Sequence, residues 1–175
     1  MTRLEQGSEL DGFRIGPLIH AGAMARIYDV SYADGRQAPF PMVMKVPLMR
    51  EGDGGENIVG FEIEHQMLQV LHGTYVPRFV AAGDLGRVPY LVMERLSGIT
   101  LETWMMQKVN ALEPIPLESI ARMGAKLAQA VHSLHQQNVC HLDLKPANVM
   151  ITDEDRVVLL DFGLSSHTDY PDLMA

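Results

Sequence analysis

Residues 141–148 read His-Leu-Asp-Leu-Lys-Pro-Ala-Asn, and eighteen residues after Asp143 the chain reads Asp-Phe-Gly at 161–163. Two short apolar segments lie between these runs, at 149–151 and 157–160, and the turn residues Thr-Asp-Glu-Asp separate them. Apolar segments joined by such residues are typical of paired strands. We therefore expect the polar side chains of both runs to lie at strand ends.

Three polar residues of these runs, Asp143, Asn148 and Asp161, admit two interpretations. Taken one at a time they are ordinary turn residues, because Asp and Asn are common in loops at strand ends. Taken together, His, Asp, Lys-Pro and Asn at these offsets, followed by a strand ending in Asp-Phe-Gly, resemble the catalytic loop and magnesium loop of the protein kinase family. The chain is similar to the eukaryotic-like (Hanks-type) serine/threonine kinases of that family.

The resemblance implies ATP-dependent phosphoryl transfer, in which catalysis is mostly positioning and charge stabilisation. It gives Asp143 the base or orienting role beside the incoming hydroxyl. It makes Asn148 and Asp161 the expected ligands of Mg²⁺, which prefers carboxylate, amide and phosphate oxygens. In this family a lysine at the place of Lys145, followed by proline, is typical of serine/threonine kinases and contacts the transferred phosphate. The implied partner is a protein substrate with a Ser or Thr acceptor.

A lysine interrupts an otherwise apolar strand upstream. Lys45 lies in the run Met-Val-Met-Lys-Val at 42–46, and a buried lysine without a partner would be costly. Glu64 follows nineteen residues later on a segment, 57–71, that we predict to be a helix. Glu64 lies within an apolar stripe of that helix, where a carboxylate needs a cation opposite. The stripe consists of Phe61, Glu64, Leu68 and Leu71.

The family resemblance accounts for this pair. Lys45 resembles the strand lysine that binds the α- and β-phosphates of ATP, and Glu64 resembles the helix glutamate that pairs with it. The alternative interpretation is that Lys45 and Glu64 are surface residues on unrelated faces. Glu62 is a weaker candidate for the same role because it falls off the stripe.

The phosphate-covering loop of the family departs from its pattern here. Gly-x-Gly-x-x-Gly-x-Val aligns with residues 20–27, and only the middle glycine, Gly22, remains. His20 and Ala25 replace the other two, and side chains restrict the close approach of backbone amides to phosphates. The histidine either crowds the nucleotide or adds a phosphate contact. The segment by itself would be an ordinary hairpin.

Residues 91–96, Leu-Val-Met-Glu-Arg-Leu, resemble the hinge that reads the adenine edge through backbone hydrogen bonds. Met93 occupies the gatekeeper place. Three apolar residues, Ile27, Val43 and Met150, are candidates for packing on adenine, and each is also a good core residue. The implied ATP-binding set is Lys45, Glu64, Gly22, Ile27, Val43, Met93, Glu94, Leu96 and Met150.

Leu142 stands where an arginine usually precedes the catalytic aspartate. That arginine pairs with an activation-loop phosphate, so its absence removes the cation that such a switch uses. The implied enzyme is of the non-RD type and does not depend on loop phosphorylation through this contact.

The resemblance implies an α+β, protein-kinase-like fold. Residues 1–96 are expected to form the N-lobe and hinge, an antiparallel sheet with one regulatory helix. Strands are predicted at 79–82 and 88–93, around a turn at 84–86. Residues 97–175 are expected to form the first part of a helical C-lobe, ending soon after the Asp-Phe-Gly motif.

Apolar residues recur at helical spacing from Leu117 to Leu134 and predict one long helix ending near His135. We expect the C-lobe helices that cover this face in the family to be missing from a catalytic domain truncated after the Asp-Phe-Gly motif. We therefore expect an exposed apolar face, self-association through it, and poor activity of this catalytic domain, truncated after Asp-Phe-Gly, by itself.

Composition narrows the classes further. The 175 residues carry 14 basic and 22 acidic side chains, a formal charge of −8, and no basic run that would bind nucleic acid. No apolar stretch is long enough to span a bilayer, which makes the cytoplasm the expected compartment. A single cysteine excludes an internal disulfide.

Two alternatives to a protein kinase stay open. A small-molecule phosphotransferase of the aminoglycoside or choline kinase type shares the His-x-Asp and Asn pairing, although Lys145-Pro146 and Asp-Phe-Gly argue against it. A pseudokinase acting as a binding or scaffolding module is favoured by the degenerate loop. The complete set of five residues opposes it: Lys45, Glu64, Asp143, Asn148 and Asp161.

Overall fold

A six-stranded antiparallel sheet with one inserted helix occupies the first half of the chain in the computed structural model, which describes residues 4–48, 56–84 and 88–170. Helix α1 lies between the fourth and fifth strands, and the strand order is β1-β2-β3-β4-β6-β5. We call this part the sheet half. Its elements are β1 (Glu9–Leu10), β2 (Phe13–Ala21), β3 (Ala25–Tyr32), β4 (Met42–Pro47), α1 (Glu56–Val70), β5 (Phe79–Ala82) and β6 (Leu91–Glu94).

Strand β4 divides the core of the sheet half because its side chains alternate between two faces. Met42, Met44 and Val46 point into a cluster with β2, β3 and β6. Val43 belongs to a second cluster that includes α1, and Lys45, two residues further on, shares its face. The lysine therefore points toward α1.

Helical structure dominates from Leu101 onward, with short strands around it. Thr100 caps α2, because its hydroxyl accepts a hydrogen bond of 3.1 Å from the Thr103 amide. Sheets of order β10-β9-β7 and β11-β8 complete this part, which we call the helical half. Its elements are β7 (Gly98–Thr100), α2 (Leu101–Asn110), α3 (Leu117–His135), β8 (Val139–Cys140), a 3₁₀ turn (Pro146–Asn148), β9 (Val149–Thr152), β10 (Val157–Leu159) and β11 (Ser166–His167).

The predicted helices and strands agree with the structure apart from strand boundaries, and the strand predicted at 149–151 extends to Thr152. The segment predicted as a strand over 88–93 becomes one only at Leu91, since Pro89 has no N–H to donate to the ladder. The strand predicted over 157–160 ends at Leu159. Helices α1 and α3 lie within one residue of their predicted bounds. The predicted turn at 84–86 falls partly outside the described residues.

Helix α3 buries only part of its apolar stripe. Ala130 and Leu134 are buried in the core that α3 shares with β10, whereas Leu117 is 79% exposed and Ile120 53% exposed. The predicted exposed face is therefore present on the N-terminal half of α3. Self-association through it stays a prediction, as does the division of the chain after residue 96.

No helix within the described parts of the chain is long and apolar enough to cross a bilayer. The expected α+β class, with an antiparallel sheet and few helices, is confirmed.

Gly98 is required where β7 pairs with β9. Its φ is 146°, and a Cβ placed there would lie 2.1 Å from the carbonyl oxygen of Ile151. We expect Gly98→Ala to lower the free energy of unfolding by about 1–3 kcal/mol, measured by urea denaturation. The matched control is Gly124→Ala on α3, where a Cβ meets nothing within 4 Å. That control should be neutral or stabilising by about 0.5–1 kcal/mol.

Tyr90, the residue before β6, connects the sheet to the turn between β1 and β2. Its hydroxyl donates a hydrogen bond of 2.9 Å to Asp11 Oδ2, and burial raises the pKa of Tyr90 to about 12. Because the folded protein holds the phenol proton more tightly than the unfolded chain, this contribution is complete below pH 10 and is lost as the pH rises toward 12. Tyr90→Phe should lower the free energy of unfolding by about 1 kcal/mol at pH 7. The difference from the parent should shrink above pH 10 in denaturant titrations; a constant difference would contradict this assignment.

Candidate active site

A cavity of 300 Å³ separates the sheet half from the helical half and collects most of the charged residues that the sequence singles out. The hairpin between β2 and β3 roofs it, α1 and β4 form its wall, and the catalytic loop forms its floor. Its charged lining comprises two ammonium groups and three carboxylates. The residues that line it are Met24, Ala25, Lys45, Pro47, Asn57, Gly60, Phe61, Glu64, Asp143, Lys145, Asp161, Gly163 and Leu164.

Lys45 and Glu64 form the buried ion pair that the sequence predicts. Lys45 Nζ lies 2.5 Å from Glu64 Oε2 and 3.8 Å from Asp161 Oδ1, and the side chains of Lys45 and Glu64 are 20% and 6% exposed. Burial disfavours the charged ammonium, but the two carboxylates outweigh it and raise the pKa of Lys45 above its usual value. The ammonium is therefore charged at neutral pH and faces the cavity.

Helix α1 carries Glu64 into the cavity wall because its neighbours on the same face are buried. Phe61, Leu68 and Leu71 lie in the core that α1 shares with β10 and with Phe162 of the Asp-Phe-Gly run. By contrast, Glu62 pairs with His65 at 3.7 Å and is not among the lining residues.

Two glycines let α1 approach the Asp-Phe-Gly run closely. A Cβ on Gly163 would lie 3.1 Å from the Gly60 carbonyl oxygen, and a Cβ on Gly60 would lie 3.3 Å from the Gly163 carbonyl oxygen. This contact was not predicted from the sequence. The signal was present, since an isolated glycine inside a helix usually has a packing reason.

Asp143 is held from three sides on the catalytic loop. Its carboxylate Oδ2 accepts hydrogen bonds from Lys145 Nζ at 2.7 Å and from Asn148 Nδ2 at 3.0 Å. The same amide group donates to the Asp143 carbonyl oxygen at 3.0 Å, and the Asp143 N–H donates to His141 Nδ1 at 3.3 Å. The loop thus presents the carboxylate in one orientation.

His141 is a structural residue. Its Nε2–H donates to the Leu160 carbonyl oxygen at 3.0 Å, which leaves Nδ1 as the acceptor. Its ring centroid lies 5.0 Å from that of Phe162, and Ser165 Oγ donates to its carbonyl oxygen at 3.1 Å. Both ring nitrogens are engaged, so His141 has no free position for proton transfer.

The hydrogen bond from Lys145 is the main cause that lowers the pKa of Asp143 below its usual range. A carboxylate with a lowered pKa is a weak base but remains a good hydrogen-bond acceptor at neutral pH. Of the two roles expected for Asp143, orienting a hydroxyl fits this environment better than strong-base catalysis.

Asp161 lines the cavity and Asn148 does not, but Asn148 is hydrogen-bonded to the lining residue Asp143. The oxygen donors of Asp161 and Asn148 fit magnesium shared with phosphates. Asp161 is 46% exposed in its side chain and lies in the left-handed region with φ 61°, while Asn148 is buried. Within residues 4–48, 56–84 and 88–170, no cluster of three His, Cys, Asp or Glu side chains forms a complete metal cage. Mg²⁺ needs no such cage, because it binds through one or two carboxylates with substrate phosphates and waters.

The hairpin that roofs the cavity keeps its shape without the usual glycines. Gly22 N–H donates to the Ala25 carbonyl oxygen at 3.0 Å, and Leu48 N–H donates to the Met24 carbonyl oxygen at 2.7 Å. The His20 ring lies beside Gly22, and His20 is not among the lining residues. Met24, which the sequence analysis did not single out, supplies the roof instead.

The hinge residues lie on and after β6. Met93 is buried beside Val43 on the paired strand β4. Glu94 directs its carboxylate away to Arg78, which it binds through two hydrogen bonds of 3.0 Å. Its backbone N–H donates to the Arg78 carbonyl oxygen at 2.9 Å, which leaves its backbone carbonyl oxygen as the polar group for a nucleotide. Leu96 is half-buried. Ile27, Val43 and Met150 are buried or half-buried, and Ile27 and Val43 belong to the core with α1, so the core and adenine interpretations both remain for them.

Leu142, in the place of the usual arginine, is 68% exposed and has φ 59°.

Comparison with known proteins gives the family. The model of the protein kinase domain matches residues 18–174. The chain is 30% identical to the serine/threonine-protein kinase AfsK of Streptomyces griseus over 93% of its own length, and 30% identical to the serine/threonine-protein kinase ppk31 of Schizosaccharomyces pombe over 91%. It spans 20% and 15% of the length of these two relatives.

A solved structure described as the PpkA-294 apo form shares the fold. Its TM-score is 0.75 at 20% identity, over 92% of this chain and 62% of that chain. The chain therefore belongs to the protein kinase domain family, as the sequence resemblance predicts.

Proposed function

We propose that this chain binds ATP in the cavity between its two halves and transfers the γ-phosphoryl group to serine or threonine hydroxyls of proteins, with poor activity when it acts by itself. The observation that carries this proposal is the Lys45–Glu64 ion pair, 2.5 Å long and buried, in the same cavity as Asp143 and Asp161. A scaffold has no physical reason to keep this arrangement, because buried charges cost stability. A cytoplasmic location is proposed with it, since ATP is the substrate.

Lys45 binds the α- and β-phosphates in this proposal. Its ammonium stays charged and keeps a fixed position because Glu64 holds it from the α1 side. Lys145, which is half-exposed on the floor of the cavity, lies near the transferred group and offsets its charge.

Asp143 orients the acceptor hydroxyl. The hydroxyl donates a hydrogen bond to the carboxylate, and the contacts from Lys145 and Asn148 hold the carboxylate in place as the acceptor approaches. Asn148 and Asp161 would hold Mg²⁺, which when bound would neutralise charge on the phosphates.

The adenine ring lies against the hinge in this proposal. The backbone of Glu94 and Leu96 forms the polar contacts, and Met93 limits the depth of the pocket. Ile27, Val43 and Met150 pack on the ring, and Gly22 allows the roof to approach the phosphates.

We also propose the non-RD type. Leu142 offers no charge to an activation-loop phosphate, so activity should not require phosphorylation through this contact.

A pseudokinase is the second candidate, because the roof of the cavity retains a single glycine of the three in the family pattern. The separating experiment incubates the chain with Mg²⁺ and γ-labelled ATP, using casein or an aminoglycoside as acceptor. Label in casein Ser or Thr, absent in an Asp143→Asn variant, supports the proposal. Label in the aminoglycoside alone would favour a small-molecule phosphotransferase. Because transfer by this chain is expected to be slow, ATP binding would favour the pseudokinase only if no label reached either acceptor after long incubation.

A further inference from the structure

A loop of the sheet half is fastened to the helical half. Residues 72–75 follow α1 and lead toward β5, and we call them the α1–β5 loop. The Gln137 side chain forms two hydrogen bonds with the backbone of His72. The His72 N–H donates to Gln137 Oε1 at 2.9 Å, and Gln137 Nε2 donates to the His72 carbonyl oxygen at 3.1 Å. This pair of bonds imitates the pairing of two strands, between residues 65 positions apart.

Gln137 is itself fixed. Its second amide proton goes to the Ser133 carbonyl oxygen at 3.0 Å, inside the last turn of α3, and its backbone N–H donates to the Leu134 carbonyl oxygen at 2.9 Å. Both donor hydrogens of the side-chain amide are therefore used. A half-buried side chain bonded in this way behaves as a rigid extension of the end of α3.

The other end of the α1–β5 loop is tied to β10. Leu159 N–H donates to the Tyr75 carbonyl oxygen at 2.8 Å, and Arg156 Nη1 donates to the Thr74 carbonyl oxygen at 3.4 Å. Leu159 lies two residues before Asp161 on the same segment. The loop that follows α1 is thus hydrogen-bonded to the strand that ends two residues before Asp161.

We propose that Gln137 is a positioning residue that sets where α1 presents Glu64 to Lys45. Leu71 continues the last turn of α1, since its N–H donates to the Met67 carbonyl oxygen at 2.9 Å, and His72 follows directly. The two hydrogen bonds to His72 fix the C-terminal end of α1, and this end lies about two helical turns beyond Glu64. Without Gln137 the end of α1 loses its hydrogen-bonded contact with α3, and the helix can move away from Lys45.

The effect of Gln137 on ATP binding rests on the proposed function, whereas its effect on the exchange of the α1 amides does not. In hydrogen–deuterium exchange of the ligand-free chain, Gln137→Ala should speed exchange of the α1 amides about tenfold, while α3 and β10 keep the protection of the parent. Gln137→Glu, which sets a carboxylate oxygen against the His72 and Ser133 carbonyl oxygens, should speed exchange at least as much. The matched control is Gln136→Ala, at the exposed side chain next to Gln137 in the sequence, and it should match the parent.

ATP affinity supplies the second readout. Gln137→Ala should weaken ATP binding about five- to tenfold in the parent and should have no further effect in a Glu64→Gln background, because it acts through that residue. Unchanged α1 exchange, or faster exchange spread evenly over the chain, would overturn the inference. So would fully additive losses with Glu64→Gln. If the parent binds no ATP, the proposed function fails, and the exchange comparison still decides the role of Gln137.

Discussion

Lys45→Ala is expected to abolish measurable ATP binding and to lower the free energy of unfolding by about 3–5 kcal/mol. The first effect follows from the loss of the ammonium that faces the phosphates. The second follows because the Glu64 carboxylate, 6% exposed, keeps its burial and loses its closest cation. Calorimetry measures the binding loss and urea denaturation measures the stability loss.

A double variant separates these two effects. Lys45→Met combined with Glu64→Leu replaces the ion pair with apolar side chains of similar size, so most of the lost stability should return. ATP binding should stay absent, because no cation has been restored. If Lys45→Ala were as stable as the parent, the two groups would not form a buried pair in solution.

Asp143→Asn is expected to reduce phosphoryl transfer by about 10²- to 10⁴-fold while leaving ATP affinity close to that of the parent. The amide keeps the size of the carboxylate but removes the negative charge that accepts the hydrogen bond of the incoming hydroxyl. The fold should persist, because His141 still anchors the loop through Leu160 and Ser165. Transfer from labelled ATP to casein provides the measurement.

The matched control for this change is Asp153→Asn. Asp153 is an exposed aspartate on the turn between β9 and β10, outside the cavity lining, so its conversion should leave transfer unchanged. Equal activity of Asp143→Asn and the control would show that Asp143 has no role in transfer.

The sequence predicted the parts of this molecule in which local pattern and chemistry agree. Lys45 interrupts an apolar strand and Glu64 interrupts an apolar helix stripe, and such charges must meet because burial of either charge alone is costly. The structure brings them to 2.5 Å. Local pattern also predicted α3, because apolar residues recur at helical spacing along it; the helix runs from Leu117 to His135.

Features that depend on distant backbone could not be predicted in this way. Gln137 grips His72 across 65 residues, and nothing in the residues around Gln137 distinguishes it from its exposed neighbour Gln136. The position of Met24 over the cavity could not be predicted either, because it depends on a hydrogen bond from Leu48, the residue that follows β4. Long-range partners of polar side chains carry no periodicity that a single sequence displays.

Strand β6 shows a third limit. Its apolar run begins at Val88, but Pro89 cannot join a ladder, and pairing starts at Leu91. Tyr90 is nevertheless buried and reaches Asp11, a partner 79 residues away, so burial and strand structure do not coincide there.

Magnesium-dependent ATP binding tests the central claim most directly. Isothermal calorimetry would compare the chain with its Lys45→Ala and Asp161→Ala variants, each with and without Mg²⁺, after circular dichroism has shown that all three are folded. We predict binding by the parent that requires Mg²⁺ and is lost or strongly weakened in both variants. A folded parent that binds no ATP, or binds it equally well without Mg²⁺ and in both variants, would contradict the account.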